Sequence, residues 1–368
     1  MMLVILFFTL LAVFISLVFI PYWTRKTESF GVSIPERLYK RADFEAMRKS
    51  YVLFMSILSV VLLAIFWVSS YFLKDDDTLL GIVFSAIILI FIVASFLIYL
   101  KFHFSMKKIK EKENWAEDKV EKTFVHTKFR EQSLTISNWW YLLPFLLTIG
   151  LGVFTLMNYD RLPNQIPMNY NLSGDVTNWK EKSYGTVLIL PAIQLFLVLM
   201  FLFINIIIAK SKQQVSVENP ERSLQQNIIF RRRWSIFLYS SLLAMVLMFS
   251  FMQLGDYFWQ IEPVFLIALP MIVSFGTVIG AVILSVTTGQ GGSRVKLSDE
   301  LDDRVINRDD DRYWKLGQFY FNKEDPAIFI EKRFGVGWTM NFARPLGWFF
   351  LIAVIALPFL IVFVLTNF

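Results

Sequence analysis

Residues 186–209 read TVLILPAIQLFLVLMFLFINIIIA, an apolar run without one charged side chain. A hydrocarbon core about 30 Å thick takes about 20 apolar residues of helix to cross, and in lipid a helix satisfies its own backbone N–H and C=O groups. Thr186–Ala209 is therefore read as a transmembrane helix. Working outward, further runs of the same kind are Met1–Tyr22, Tyr51–Leu73, Leu79–Leu100, Trp139–Met157, Ser235–Leu254, Pro263–Thr287 and Leu346–Asn367. The expectation is an all-α integral membrane helix bundle of eight transmembrane helices with a small cytoplasmic β-rich insert. Composition agrees: 56% of residues are hydrophobic and mean hydropathy is +0.54, where soluble domains hold roughly 45–50% apolar residues. Tyr22, Trp23, Trp139 to Tyr141, Trp234, Trp259 and Trp348 stand at the ends of the runs, where amphipathic rings favour the headgroup layer.

Orientation follows from Lys and Arg. Of the 36 basic residues, 32 lie in loops 23–50, 101–138, 210–234 and 288–345. The alternate loops 74–78, 158–185 and 255–262 hold the rest. Cytoplasmic loops carry the basic excess, so both termini are expected outside the cell membrane. The net charge of +6 is then a property of these loops, and no direct nucleic-acid partner is expected. Met1 to Ile20 is uncharged and the first basic residues follow it, the reverse of a cleavable secretory leader, so the first helix is read as retained. The chain divides into residues 1–138 (helices 1–3), 139–210 (helices 4–5 and their outer loop), 211–287 (helices 6–7), 288–345 (the insert) and 346–368 (helix 8).

Loop 23–50 predicts a short amphipathic helix, with Ser33 and Glu36 as a capping box and Pro35 in the first turn. Its basic residues are read as juxtamembrane anchors rather than a headgroup-binding surface. The third helix is expected to run on through Lys101 to about Lys122, with Asp118 and Lys122 paired. Both histidines, His103 and His126, fall in this loop. With no cysteine in the chain they make a poor metal site, and they are read as solvated.

Segment 288–345 opens with Gly289-Gln290-Gly291-Gly292-Ser293, followed by mixed charge from Asp299 to Asp311. Asn307, Asp309 and Asp311 imitate a calcium loop, but Arg312 and Gln318 stand where Gly and Glu are required. Beyond it, Leu316–Phe321, Ile328–Arg333 and Trp338–Phe342 predict a three-stranded meander lying against the membrane. The segment lacks histidine and cysteine and holds ten acids against ten bases. Its aromatic side chains, Trp314, Tyr320 and Trp338 among them, are candidates for docking a cytoplasmic regulator or for packing on one another.

Loop 158–185 is expected on the outside. Pro163 and Pro167 preclude a helix and favour an extended start, and Asn171 to Asp175 carry turn chemistry around Gly174. Asn169, Tyr170, Asn171 and Trp179 combine hydrogen-bonding groups with flat apolar faces, a composition suited to peptides or headgroups. The alternative is a rigid lid packed on the helices.

The run Leu162-Pro163, Ile166-Pro167, Tyr170-Asn171, Gly174 and Trp179 resembles a domain of unknown function shared by relatives of the Sdp toxin immunity protein of Gram-positive bacteria. The stretches Tyr313 to Asn322 and Phe334 to Phe342 are similar to a second uncharacterised module found with the first. Together they cover about a third of the chain. The resemblance implies protection against a membrane-active toxin peptide, with relay of a signal to a cytoplasmic regulator. Relatives commonly carry histidine where this chain has Asn169, so no titrating or metal-binding role carries over to that position.

On these boundaries no helix interior holds a charge, which argues against ion-coupled transport. No H-E-x-x-H helix and no phosphate loop of the G-x-x-x-x-G-K-[ST] type occurs. No enzyme, cofactor or metal is expected. Pro144, Pro191, Pro270 and Pro358, with Gln194, Asn205 and the pair Gly276 and Gly280, are read as packing features of helices 4, 5, 7 and 8 in preference to a cavity among them. The functional expectation is a binding protein of the bilayer, for immunity or signalling. The alternative is a facilitator or transporter of a small amphipathic substrate or lipid.

Overall fold

The computed structural model describes residues 2–73, 76–113, 133–170, 176–212, 220–259, 261–297 and 311–367. The expected helical extension toward Lys122, His126, the run Asp299 to Asp310, and the site residues Asn171 and Gly174 lie outside the described residues.

The helices are α1 (Met2–Val18), α2 (Ile20–Trp23), α3 (Ala42–Phe72), α4 (Asp77–Lys112), α5 (Leu142–Met157), α6 (Tyr184–Lys210), α7 (Pro220–Leu254), α8 (Pro263–Thr288) and α9 (Pro345–Asn367). The short strands are β1 (Glu28–Ser29), β2 (Val32–Ser33), β3 (Gln165–Tyr170), β4 (Val176–Glu181), β5 (Trp314–Lys315), β6 (Phe319–Tyr320), β7 (Phe329–Glu331) and β8 (Trp338–Met340). Among the described residues, seven helices, α3 to α9, are long and apolar enough to cross a bilayer, α5 when counted with the 3₁₀ turn Asn138–Tyr141 that leads into it. The protein is thus a multi-pass membrane protein. Their outward faces carry Leu53, Trp67, Leu89, Ile272 and Phe359, all exposed, and no residue in the apolar window of α9 is buried. Only hydrocarbon solvates such faces without cost. α1 has 17 residues and is continued, after a break at Phe19, by α2.

Local chemistry sets the helix ends. Asp76 Oδ1 accepts from Leu79 N at 2.9 Å to cap α4, and Ser183 Oγ accepts from Thr186 N at 3.0 Å to cap α6. α1, α3 and α4 share one core around Phe14, Tyr51, Phe66 and Phe91. α5, α6 and α7 share another around Tyr141, Val198, Leu242 and Val246. α9 packs on α6, while α8 packs on α7 and α1. The four proline-bearing helices therefore do not surround a common cavity, and packing is the reading that survives. A cleft of about 450 Å³ lies instead between α7 and α8, lined by Leu247, Met248, Phe251, Phe265, Leu269 and Val273.

The basic end of the bundle departs from expectation in three ways. Ser33 caps no helix: it pairs with Glu28 in a two-stranded hairpin, and Pro35 precedes a 3₁₀ turn, Glu36–Leu38, without a side-chain cap. The helix of this loop starts at Ala42 and is continuous with the span, and Arg41 at its N-cap pairs with Asp43 and with Glu113 just past α4. Second, the insert is not a three-stranded meander. It forms two hairpins, β5–β6 and β7–β8, joined by a single parallel bridge from Tyr320 to Asn341. Third, His103 is buried rather than solvated, with Nδ1 2.8 Å from the Phe30 carbonyl.

These pieces close into one platform at the basic end. Gly31 and Gly317, at the tips of the β1–β2 and β5–β6 hairpins, both have positive φ. A Cβ on Gly31 would lie 2.5 Å from the Gly317 carbonyl and 2.4 Å from Tyr99 Oη, so only glycine permits the tips to meet. Tyr99 Oη donates to Leu316 O at 2.9 Å beneath them.

Candidate functional site

At the other end of the bundle β3 and β4 form an antiparallel hairpin between α5 and α6, with Ile166 opposite Lys180 and Pro167 opposite Trp179. The ladder shifts register between Pro167 and Asn169; proline offers no N–H there, and a bulge absorbs the loss. Strand alternation sends Ile166 inward. With Leu162, Val187 and Tyr257 it builds a small core on the bundle end. Tyr159 stacks on Tyr184 with centroids 4.3 Å apart. Lys182 Nζ donates to Leu162 O at 3.1 Å and stands 5.1 Å from the Tyr159 ring, so this cation serves the loop itself.

The hairpin is also latched to the turn between α7 and α8. Tyr170 Oη donates to Asp256 Oδ1 at 2.7 Å, and Asp256 lies in the π turn Gly255–Trp259 that ends α7. Burial, with the adjoining carboxylate, pushes the Tyr170 phenol above its ordinary range. The outward face is different. Trp179 is 51% exposed, Pro163 is exposed and Pro167 half-buried, and Thr177 and Asn178 are exposed as well. The backbone of Asn169 pairs with Asn178. Among the described residues this part of the hairpin offers an exposed aromatic plane with a hydroxyl and an amide close along the strand.

At the platform end the aromatic candidates are mostly interior. Trp314 and Tyr320 are 5% and 2% exposed, their rings 5.1 Å apart, and the Arg333 guanidinium lies over Trp314 at 5.1 Å. Trp338 is half-buried and packs on Phe230 of α7 at 5.1 Å. The area expected to receive a partner is therefore largely the module's own core, and Leu316, Phe319 and Phe321 are the exposed apolar groups nearby.

The buried charges were not legible beforehand. Arg231 of α7 donates from Nε to Asn227 Oδ1 at 2.7 Å, from Nη1 to Ile208 O at 2.6 Å, and from Nη2 to Glu331 Oε1 at 2.9 Å. The Ile208 carbonyl belongs to the last turn of α6, where unbonded carbonyls attract a cation. Glu331 also pairs with Arg25 and accepts from Asn227 Nδ2 at 2.8 Å. One carboxylate of β7 thus gathers the N-terminal loop and α7 and, through Arg231, the end of α6. Asp311 does the same on the other flank, pairing with Arg333, with Lys110 of α4 at 2.6 Å, and with Ser33 N at 3.3 Å. Asp325 accepts from Lys212 Nζ at 2.5 Å and Tyr320 Oη at 2.6 Å. No cluster of three metal-ligating side chains occurs among the described residues.

Two uncharacterised families match parts of this chain. A domain of unknown function (DUF1648) matches residues 146–195, which run from α5 through the hairpin into α6. A family of unknown function (DUF5808) matches residues 323–348, the second half of the module and the start of α9. Neither description carries an activity. No curated protein and no solved structure matches the chain.

Proposed function

We propose that the chain spans the cell membrane eight times, with α1 and α2 forming the additional crossing, both termini and the β3–β4 hairpin outside, and the basic platform in the cytoplasm. On this reading it acts by binding. The hairpin recognises a membrane-active peptide through Trp179 and its amide neighbours, giving immunity, and a change there is relayed to a cytoplasmic regulator. One observation carries the reading. α7, with 35 residues and so about 50 Å long, ends beside the Tyr170–Asp256 latch and carries Arg231, paired with Glu331, about three turns in from its other end. A single rigid element touches both candidate sites, the arrangement needed for one to bias the other.

A strain lacking the protein, challenged with a panel of membrane-active peptides, tests this. The wild-type protein is expected to restore survival and Trp179→Ala to fail at equal membrane level. Equal survival with and without the protein across the panel contradicts it. The apolar cleft between α7 and α8 favours a second reading, a facilitator for a small amphipathic substrate or lipid, which uptake assays in the same strains separate from the first.

A further inference from the structure

α5, α6 and α7 keep one register along their whole contact. At the platform end Asn205 Nδ2 donates to Asn138 Oδ1 at 2.9 Å, and Ser235 Oγ donates to Asn205 Oδ1 at 2.6 Å. Toward the hairpin, a Cβ on Gly152 would lie 3.6 Å from Pro191 Cβ, and Gln253 Nε2 donates to Thr155 Oγ1 at 2.8 Å. Counting helical turns between these ties places Thr148, Gln194 and Val246 at one level in the middle of the seam. Thr155, Val187 and Gln253 fall about two turns, ~10 Å, nearer the hairpin.

The middle level is fully enclosed, yet its polar atoms are not bonded to protein. Gln194 is 0% and Thr148 1% exposed, and neither the Gln194 carboxamide O and N nor the Thr148 hydroxyl has a protein partner. Two turns up, the Thr155 hydroxyl proton goes to Leu151 O at 2.9 Å, so its lone pair takes the Gln253 amide and leaves Gln253 Oε1 open. Pro191 has no N–H, so the Val187 carbonyl loses its helical donor as well. Two acceptors without donors thus stand above an amide and a hydroxyl that can each donate and accept. A buried unbonded amide costs a few kcal/mol, and the hydrocarbon around the bundle supplies no partner.

We propose that this seam is an internal water site, in which ordered water is bound by Thr148, Gln194, Gln253 Oε1 and the Val187 carbonyl. The ligand is water rather than an ion because none of these groups is charged and Val246 closes the third side. Buried waters make about three hydrogen bonds to such groups, which the mixed donors and acceptors here provide. The site does not depend on the proposed recognition role.

Hydroxyl-radical footprinting of the full-length protein in lipid nanodiscs tests it, since radicals formed from bound water oxidise the nearest side chains. Met200 and Met245 pack against the cluster that contains Tyr141 and Val246 and report on the seam. Met271 of α8, half-buried as they are and away from the seam, is the dry reference. Met200 and Met245 are expected to oxidise several-fold faster than Met271 in the wild type, and to slow several-fold in a Gln194→Leu/Thr148→Val variant. Rates in the wild type no faster than that of Met271, or unchanged in the folded variant, overturn the proposal. The wild-type comparison stands even if the variant does not fold.

Discussion

Arg231 Nη2 and Glu331 Oε1 lie 2.9 Å apart with both side chains wholly buried, joining α7 to a strand a hundred positions later. A buried pair adds little over a well-packed apolar substitute, but removing one partner strands the other and costs about 3–5 kcal/mol. Glu331 answers both Arg231 and Arg25, so Glu331→Gln is expected to lower the thermal midpoint in detergent more than Arg231→Gln. Equal small losses for the two would show that the platform tolerates unpaired charge.

Asp325 gives the platform an acid limit. Burial alone would raise its carboxyl, but the bonds from Lys212 and Tyr320 outweigh that and hold it below the ordinary aspartate range. A depressed folded pKa contributes stability above the unfolded value, about 3.9, and loses it as pH falls through the folded value. Wild-type midpoints should therefore drop below about pH 4 more steeply than those of Asp325→Asn, which starts less stable. Parallel pH profiles would remove Asp325 from the account.

The hairpin separates recognition from anchoring. Trp179 is half-exposed, and Trp179→Ala should leave the thermal midpoint nearly unchanged while impairing protection. Tyr170→Phe removes the bond to Asp256, a hydrogen bond to an acidic group worth about 1.5–3 kcal/mol, and should lower the midpoint. The opposite assignment, a stable Tyr170→Phe and an unfolded Trp179→Ala, would make the indole core.

Close approach of α6 and α9 rests on Gly185, where a Cβ would sit 2.2 Å from the Leu365 carbonyl. Backbone cannot swing aside as a side chain does, so Gly185→Ala is expected to cost about 1–3 kcal/mol and to loosen α9. Limited proteolysis near the C-terminus reads this out; wild-type resistance would contradict it.

Much of the membrane part was legible in the sequence, because apolar runs such as Thr186–Ala209 report the solvent that the helix faces. The helix ends on the basic side were not. α3 begins at Ala42 and α7 at Pro220, well before the apolar runs, since charged helical turns carry no hydropathy signal. Pro163 and Pro167 favour an extended start to the loop, and strands form there. Asp256 is one acid in a short connection, and its partner Tyr170 is 86 positions away. Arg25, Arg231 and Arg333 enter the sequence reading only as part of the basic excess of their loops, yet all three are buried. Their partners lie on distant strands, and local spacing carries no trace of such pairs. Trp314 and Tyr320 show the same limit from the apolar side: an aromatic-rich segment reads alike as surface or as core.

The chain has no cysteine, so single cysteines report topology without background. Glu181 on the hairpin and Lys323 on the platform are both exposed. The account places them on opposite sides of the membrane, at the two ends that α7 joins. With a membrane-impermeant maleimide on intact cells, Glu181→Cys should be labelled at once and Lys323→Cys only after lysis. Labelling of Lys323→Cys in intact cells, or protection of Glu181→Cys there, would contradict it.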